Sequence, residues 1–147
     1  FPGCWQYELF EGYLPKSAWN KESVIKWATD AEGIFGRKTY AAGTVGGYYA
    51  SRIGCLEHLK KIKKQASVLV IRFETPEYYA ALGVWVVRSA SRRTMSYAPK
   101  TFDSREGLLK AVHDEVYTRF RYNIDDIFRM SKLLQILKTQ KRLAEFF

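Results

Sequence analysis

The fold is decided by residues 45–73, VGGYYASRIGCLEHLKKIKKQASVLVIRF. The first part predicts a long helix over about 45–65, because five large apolar residues recur at spacings of three and four and therefore share one face. These residues are Tyr49, Ile53, Leu56, Leu59 and Ile62. Lysines crowd the end of this helix, where cations suit the helix dipole. Residues 67–73, SVLVIRF, form a short β-branched run that predicts a buried strand.

The segments before this stretch predict a strand and a loop. Residues 5–14, WQYELFEGYL, alternate polar and apolar side chains and favour a β-strand, which Pro15 ends. Residues 20–30, NKESVIKWATD, leave two alternatives open, a short strand around 24–28 or a helix. Residues 32–47 are punctuated by glycines and predict a loop.

The segments after it predict mainly helices. Residues 83–95, GVWVVRSASRRTM, begin like a strand and end like a helix. Asp103 and Glu106 have the spacing of a capping box, and Asn123 predicts the start of a further helix. The apolar positions of these two helices are Leu108, Leu109, Val112 and Val116, then Ile127, Met130, Leu134 and Leu137. The order of elements predicts an α+β fold, with a small mixed sheet covered by helices and a helical C-terminal third.

Composition and charge limit the class of protein. The chain has 147 residues, of which 47% are hydrophobic and 16% aromatic, which favours one ordered domain. Its net charge of +9 favours a polyanionic partner, nucleic acid before an acidic membrane surface. No apolar run reaches the roughly 18–20 residues that span a bilayer. The basic helix also lacks a matching exposed apolar face, so we expect no membrane partner. With DNA as the expected partner, we expect a cytoplasmic, nucleoid-associated location. Cys4 and Cys55 are too few for a zinc site, and we predict no metal and no cofactor.

Basic and aromatic residues interleave in a way that is typical of nucleic-acid binding. Lysine and arginine neutralise phosphates, while aromatic rings and guanidinium groups stack on bases. The predicted nucleic-acid-binding residues are Arg37, Tyr48, Tyr49, Arg52, Lys60, Lys61, Lys63, Lys64, Arg88, Arg92 and Arg93. The alternative is that the lysines form a solvated face and the aromatic residues belong to the core.

The glycine-rich stretch 43–49, GTVGGYY, stands just before the predicted helix. Glycines at a helix start can cradle a phosphate. The stretch lacks the GK[ST] ending of a P-loop and the spacing of a dinucleotide fingerprint, so we favour a tight turn whose glycines supply positive φ angles.

Residues 36–88 resemble the archaeal DNA repair protein Nre family, above all in the pattern GGYYASR…LEHL…KKQASVLV. The upstream YELFEGYLPKSAW and the later TFDSREGLL are similar to that family as well. The resemblance covers most of the chain and implies a role in DNA repair for a poorly characterised α+β domain.

The resemblance also implies a binding partner, because family members commonly end in a peptide that binds the PCNA sliding clamp. The last eight residues, QKRLAEFF, fit that peptide through Gln140, Leu143, Phe146 and Phe147. One helical turn places the last three on a single face as an apolar plug. We therefore expect a domain over 1–137 and a clamp-binding tail over 138–147. The alternative is that these side chains pack on the protein's own core.

Two functional hypotheses follow from this sequence. In the first, the domain is a DNA-binding or adaptor module that the tail recruits. In the second, it is a metal-dependent nuclease or another DNA-processing enzyme, for which the candidate residues are Glu32, Arg37, Glu57 and Arg72. The second requires at least two of four carboxylates to converge in one cleft with an arginine. The four carboxylates are Glu32, Glu57, Glu74 and Glu77.

Overall fold

A computed structural model describes residues 1–44, 46–78 and 83–139 of the chain. Three strands and five helices follow one another in these residues, and they confirm the predicted α+β fold with a small mixed sheet. They are β1 (Gln6–Tyr13), β2 (Lys26–Glu32), α1 (Gly47–Ile62), β3 (Ser67–Glu74), α2 (Val84–Ser96), α3 (Arg105–Phe120), α4 (Asp125–Met130) and α5 (Lys132–Thr139). The chain divides into two compact units, a first over Phe1–Ser96 and a second that begins at Tyr97.

The sheet lies in the first unit and has the order β2-β1-β3. The central strand β1 pairs antiparallel with β2 and parallel with β3. Tyr7 stands opposite Glu32 and Val68, while Tyr13 stands opposite Lys26 and Glu74. The ambiguous segment 20–30 therefore yields a strand at its end rather than a helix.

The central strand carries most of the burial in the sheet. All of its residues except Tyr13 are buried, whereas β3 is only half-buried between its two ends. The prediction that 67–73 is a buried strand was wrong in this respect, because β3 is an edge strand with one neighbour. Val68 and Val70 of this strand pack against the edge of the core and are only partly buried.

The main core joins one face of the sheet to α1. Tyr7 and Leu9 on β1 pack with Tyr48 and Cys55 on α1, together with Ala41 from the preceding loop. The rings of Tyr7 and Tyr48 meet edge to face with centroids 5.0 Å apart. Edge-to-face pairs of this kind add to the stabilisation from burial.

The other face of the sheet carries its own aromatic cluster. The ring of Trp27 on β2 contacts Phe10 on β1 and Phe73 on β3, with centroid separations of 6.5 and 5.3 Å. Gly12 leaves room for this ring, because a Cβ there would lie 2.8 Å from the indole. β1 is therefore covered on both of its faces.

Helix α1 lies where the sequence predicts it, but it turns a different face to the core. Tyr49, Ile53 and Ile62 of the predicted apolar face are exposed. The buried residues are mostly small and are Gly47, Tyr48, Ala50, Ser51, Gly54 and Cys55. Periodicity of large apolar residues missed this face, because small residues are buried here for the close approach that they allow and not for their hydrophobicity.

Helix α2 packs along α1 in a parallel orientation. Gly46, just before α1, lies against Val84 at the start of α2. Further along, Ser51 and Gly54 of α1 both contact Ser91 of α2. The hydroxyl groups of the two serines are 3.1 Å apart. The sequence left the start of this element open, and the structure shows helix from Val84 onward.

The second unit is helical, and two of its predicted caps are displaced by one residue. α3 is capped by Ser104 and not by Asp103, because the Ser104 hydroxyl accepts from the backbone N–H of Gly107 at 3.0 Å. Asn123 does accept a hydrogen bond, from the N–H of Asp125 at 2.8 Å. It lies one residue before the helix cap.

The predicted helix after residue 123 is in fact two helices that meet at Ser131. Ser131 ends α4 and starts α5, because its hydroxyl accepts from the N–H of Leu134 at 3.1 Å. The break turns Met130 to solvent while Ile127, Leu134 and Leu137 remain buried. In the described parts of the chain, no helix is long and apolar enough to cross a membrane.

We expect Gly54→Val to loosen the contact between α1 and α2. A Cβ at this position would lie 2.9 Å from the Cβ of Ser91 and 3.3 Å from the backbone nitrogen of Arg92. Overpacking of this kind costs about 1–3 kcal/mol in the free energy of unfolding, measured by urea denaturation. Lys60→Val on the exposed side of α1 is the control and should change that free energy by less than about 1 kcal/mol. Equal effects of the two variants would contradict the close packing.

Candidate functional site

Glu32 is the centre of a buried hydrogen-bond network at one end of the sheet. Its Oε1 accepts from the indole N–H of Trp5 at 2.6 Å and from Nε of Arg52 at 2.8 Å. Its Oε2 accepts from the hydroxyl of Tyr48 at 3.0 Å. Burial, followed by the charge of Glu32, raises the pKa of Tyr48. Both oxygens of the carboxylate accept hydrogen bonds from the protein's own donors, which favours a structural role.

Arg37, the second candidate in the loop after β2, ties that loop together. Its guanidinium donates to Asp30 at 3.0 Å and to the backbone carbonyls of Ala31, Thr39 and Tyr40 at 2.9 to 3.2 Å. Only 16% of its side chain is exposed. Because all three guanidinium nitrogens of Arg37 donate within the protein, few N–H groups remain to bind a phosphate.

A second polar cluster lies at the opposite end of the same sheet face. Nη1 of Arg72 on β3 is 3.0 Å from Oε1 of Glu11 on β1, and its Nη2 is 3.7 Å from Oε2 of Glu74. The hydroxyl of Tyr13 donates to Oε2 of Glu11 at 2.9 Å. Burial raises the pKa of Glu74, and the nearby Arg72 offsets only part of this effect.

The glycine-rich turn before α1 is packed against this second cluster. The carboxylate of Glu11 lies so close to Gly47 that a Cβ there would collide with it. Gly46 has a φ angle of 87°, which supports the turn interpretation of this stretch. A carboxylate beside a helix N-terminus interacts favourably with the helix dipole, so Glu11 stands where a phosphate would otherwise bind.

A cavity of about 430 Å³ opens beside the cluster, within the first unit. Its polar lining comes from Glu11, Tyr13, Lys26, Thr44, Arg72, Glu74 and Tyr78, and its apolar lining from Trp19, Trp27, Val84, Val86 and Val87, with Gly47 and Gly83 completing it. Two buried oxygen atoms of the lining residues, Oγ1 of Thr44 and Oε1 of Glu74, accept no hydrogen bond from any described residue. Unsatisfied buried oxygens are uncommon and costly, so they call for an explanation.

Seven of the predicted nucleic-acid-binding residues are exposed basic residues on α1, on the two positions that follow it and on α2. We call this set the α1–α2 basic surface, and it consists of Lys60, Lys61, Lys63, Lys64, Arg88, Arg92 and Arg93, all of which are exposed. Lys61 and Arg92 line one small cleft between the helices. Arg92 forms a two-point ion pair with Glu57, at 2.6 and 2.7 Å, and this pair lowers the pKa of Glu57.

The remaining predicted nucleic-acid-binding residues lie elsewhere in the first unit. Tyr48 is fully buried, so its ring offers no face to a base. Tyr49 is 37% exposed and its hydroxyl accepts from the N–H of Ala41. Arg52 pairs with Glu32 and lies over the ring of Trp5 at 5.5 Å.

The candidate catalytic carboxylates have separate partners. Glu32 and Glu74 stand opposite Tyr7 and Tyr13 of β1, six residues and therefore about 20 Å apart along the strand. Glu57 pairs with Arg92 on the helices. In residues 1–44, 46–78 and 83–139, no group of three or more His, Cys, Asp or Glu side chains could hold a metal ion.

The predicted clamp-binding residues Gln140, Leu143, Phe146 and Phe147 lie outside the described residues. Lys138 and Thr139, at the start of the predicted tail, belong to α5. The tail stays a prediction.

Sequence reasoning missed the cavity and the residues that line it. Glu11 carried a usable signal, because it is a charged residue within a strand that is otherwise largely buried. Trp19, Thr44 and the α2 valines carried none, because they come from separate segments that only the fold brings together.

The fold and its surface define the class, a small basic α+β protein with buried carboxylate clusters. Residues 32–146 match the family model described as "Archaeal Nre, C-terminal", so the chain belongs to the archaeal Nre family. This confirms the resemblance seen in the sequence.

Curated relatives agree with this assignment. The chain is 44% identical over 93 residues to DNA repair protein NreA of Haloferax volcanii, covering 62% of the chain and 22% of that protein. It is 38% identical over 112 residues to DNA repair protein NreB of Archaeoglobus fulgidus, covering 76% of the chain and 28% of the relative. NreA of the same organism is 40% identical over 116 residues, covering 78% and 29%. The chain thus spans less than a third of these relatives, and no solved structure matches it.

We expect Glu32→Ala to destabilise the protein strongly. The change leaves the buried Tyr48 hydroxyl without its partner and strips Arg52 of its counter-ion. Removing one member of a buried ion pair costs about 3–5 kcal/mol, which urea denaturation would measure. Glu22→Ala breaks the exposed pair with Lys26 and should cost less than about 1 kcal/mol. A small effect of Glu32→Ala would mean that the network does not hold α1 to the sheet.

Proposed function

We propose that this chain is a DNA repair protein that contacts DNA through the α1–α2 basic surface and is recruited to the PCNA sliding clamp through residues 140–147. The observation that carries the proposal is the gathering of exposed lysine and arginine side chains on two packed, parallel helices. A cytoplasmic, nucleoid-associated location goes with this role.

The arrangement of the two helices supports contact with a polyanion. Because α1 and α2 run parallel, their C-terminal ends lie side by side, and Lys61 lines the same cleft as Arg92. Among the described residues, no carboxylate pairs with Lys60, Lys61, Lys63 or Lys64. Unpaired cations of this kind can neutralise DNA phosphates. The counterions condensed on the DNA are then released, which favours binding.

The relatives supply the biological context. All three are named DNA repair proteins, and the family match over 32–146 includes both basic helices. A repair role for this chain is the simplest extension of those names. With that role, the expected ligand of the α1–α2 basic surface is the DNA backbone.

The tail gives the proposal its second partner. In a helical turn, Leu143, Phe146 and Phe147 would share one face and enter an apolar groove of the clamp. Burying three large apolar side chains offers roughly 1.5–3 kcal/mol each before the cost of ordering the tail. After that cost, a dissociation constant of about 1 μM is expected.

Removing the four lysines of the basic surface should weaken DNA binding in a salt-dependent way. We expect the variant Lys60→Ala/Lys61→Ala/Lys63→Ala/Lys64→Ala to bind a fluorescent oligonucleotide more weakly, measured by anisotropy at several salt concentrations. The slope of log K against log salt should fall by about 0.7–0.9 for each phosphate contact that is lost.

A variant with the same loss of charge is the control. Lys21, Lys38, Lys100 and Lys110 are exposed and lie outside the basic surface, so the corresponding quadruple alanine variant should retain most of the slope. Equal losses in both variants would show that net charge alone drives binding, which would contradict a localised interface.

Replacing the terminal aromatics should abolish clamp binding. We expect Phe146→Ala/Phe147→Ala to lose at least about tenfold in affinity for PCNA by calorimetric titration, because the plug loses two of its three apolar side chains. Ala144→Ser/Glu145→Gln changes the positions between the anchors and should bind like the unchanged chain. If the unchanged chain does not bind and the aromatic variant melts at a lower temperature, the phenylalanines belong to the protein's own core.

A further inference from the structure

The cavity at the N-terminal ends of α1 and α2 has the chemistry of a site for a planar, polar ligand. Trp27 and the α2 valines Val84, Val86 and Val87 supply apolar walls. Trp19 also lines the cavity and is 65% exposed, so it stands at the rim, where a ligand can stack on it. A volume of about 430 Å³ falls within the range of small-molecule sites.

Two buried acceptors in its lining have no donor. Glu74 is 7% exposed and Thr44 is 2% exposed, yet Glu74 Oε1 and Thr44 Oγ1 accept no hydrogen bond from the described residues. The Glu74 carboxylate otherwise interacts with Arg72, 3.7 Å from its Oε2, and with the backbone N–H of Trp19. A ligand that brings N–H donors would satisfy these acceptors and remove the cost of leaving them unpaired.

The charges of the cavity decide which ligand that is. Glu11 and Glu74 are balanced by Arg72 and by Lys26, and Lys26 also pairs with Glu22 at 2.6 Å. A phosphate in the cavity would be repelled by the two buried carboxylates, and an ammonium group would be repelled by the two cations. A neutral ring with apolar faces and N–H donors on its edge meets neither penalty.

We propose that this cavity receives a nucleobase with an exocyclic amino group, extruded from a DNA strand whose backbone lies along the α1–α2 basic surface. The inference rests on the proposed function, because the basic surface holds the strand. Gly47 at the cavity and Lys60 on the basic surface are thirteen residues apart on α1, which is about 20 Å. Arg88 lies on α2 one turn beyond the cavity-lining Val84, between the two sites.

The geometry assigns a role to each part of the cavity. Glu74 accepts from the amino group of adenine, guanine or cytosine, and Thr44 can bond a second edge atom. The rim tryptophan Trp19 replaces the stacking that the base loses when it leaves its strand. Thymine offers only its ring N3–H, which lies between two carbonyl oxygens that a carboxylate repels, so it is the disfavoured base.

The test uses the chain with short single strands of thymidine that carry one central adenine, guanine or cytosine, or one central abasic site. Binding is followed by anisotropy and by tryptophan emission, to which Trp19 and Trp27 contribute together with Trp5 and Trp85. We expect each of the three bases to bind at least about fivefold more tightly than thymine or the abasic site, and to quench the emission. Free deoxyadenosine, titrated to millimolar concentration, tests whether the base can come from a nucleoside instead.

Two variants separate the cavity from the basic surface. Glu74→Met removes the acceptor at nearly constant volume, and Val86→Trp fills the cavity while leaving the carboxylate in place. Each should abolish the preference for an amino base and keep the salt dependence of binding to plain oligothymidine. Glu106→Met, a matched change at an exposed residue of the second unit, should keep both.

The possible outcomes distinguish this inference from the proposed function. Equal affinity for all bases in the unchanged chain would overturn the cavity inference and leave DNA contact standing. Deoxyadenosine binding that Glu74→Met and Val86→Trp abolish, without any binding of strands, would support the cavity chemistry and overturn DNA contact. A preference that survives both variants would place base recognition elsewhere and overturn the inference.

Discussion

The first unit depends on buried carboxylates that stand between the sheet and α1. Glu32 at one end of the sheet and Glu11 at the other hold donors and positive charge from α1 and from β3. Buried carboxylates are tolerated only when their partners are placed well, so they fix where α1 begins and how it lies. Gly47 and Gly54 follow from that placement, since α1 must come close to Glu11 on one side and to α2 on the other.

The surface properties follow from the same arrangement. Both α1 and α2 run in one direction, which brings their basic C-terminal turns together at one end of the unit and the cavity to the other. Neither feature belongs to one element alone. The basic surface needs the contact between the helices, and the cavity needs the sheet edge, the turn before α1 and the start of α2.

The sequence predicted the positions of strands and helices better than it predicted which helix faces are buried or which residues form the cavity. The strand over 5–14 and the helix over 45–65 were found to within a few residues, because alternation and helical spacing are local signals. The apolar run VWVV at 84–87 suggested a strand, yet contact with α1 makes it helical. Glu11, Thr44 and Glu74 meet only after folding, and no local pattern of residues indicates that they line one cavity.

The lysines at the end of α1 concentrate positive charge there, whereas Glu11 beside its beginning is paired with Arg72. The first unit therefore carries its positive charge unevenly along the axis of α1, with the excess at the lysine end. In the field of a polyanion such a body experiences a torque before it makes contact, and its lysine end turns to face the phosphates. The cavity end, where carboxylates and cations balance, then points away from the phosphates, so that an uncharged part of a bound strand meets little net charge there.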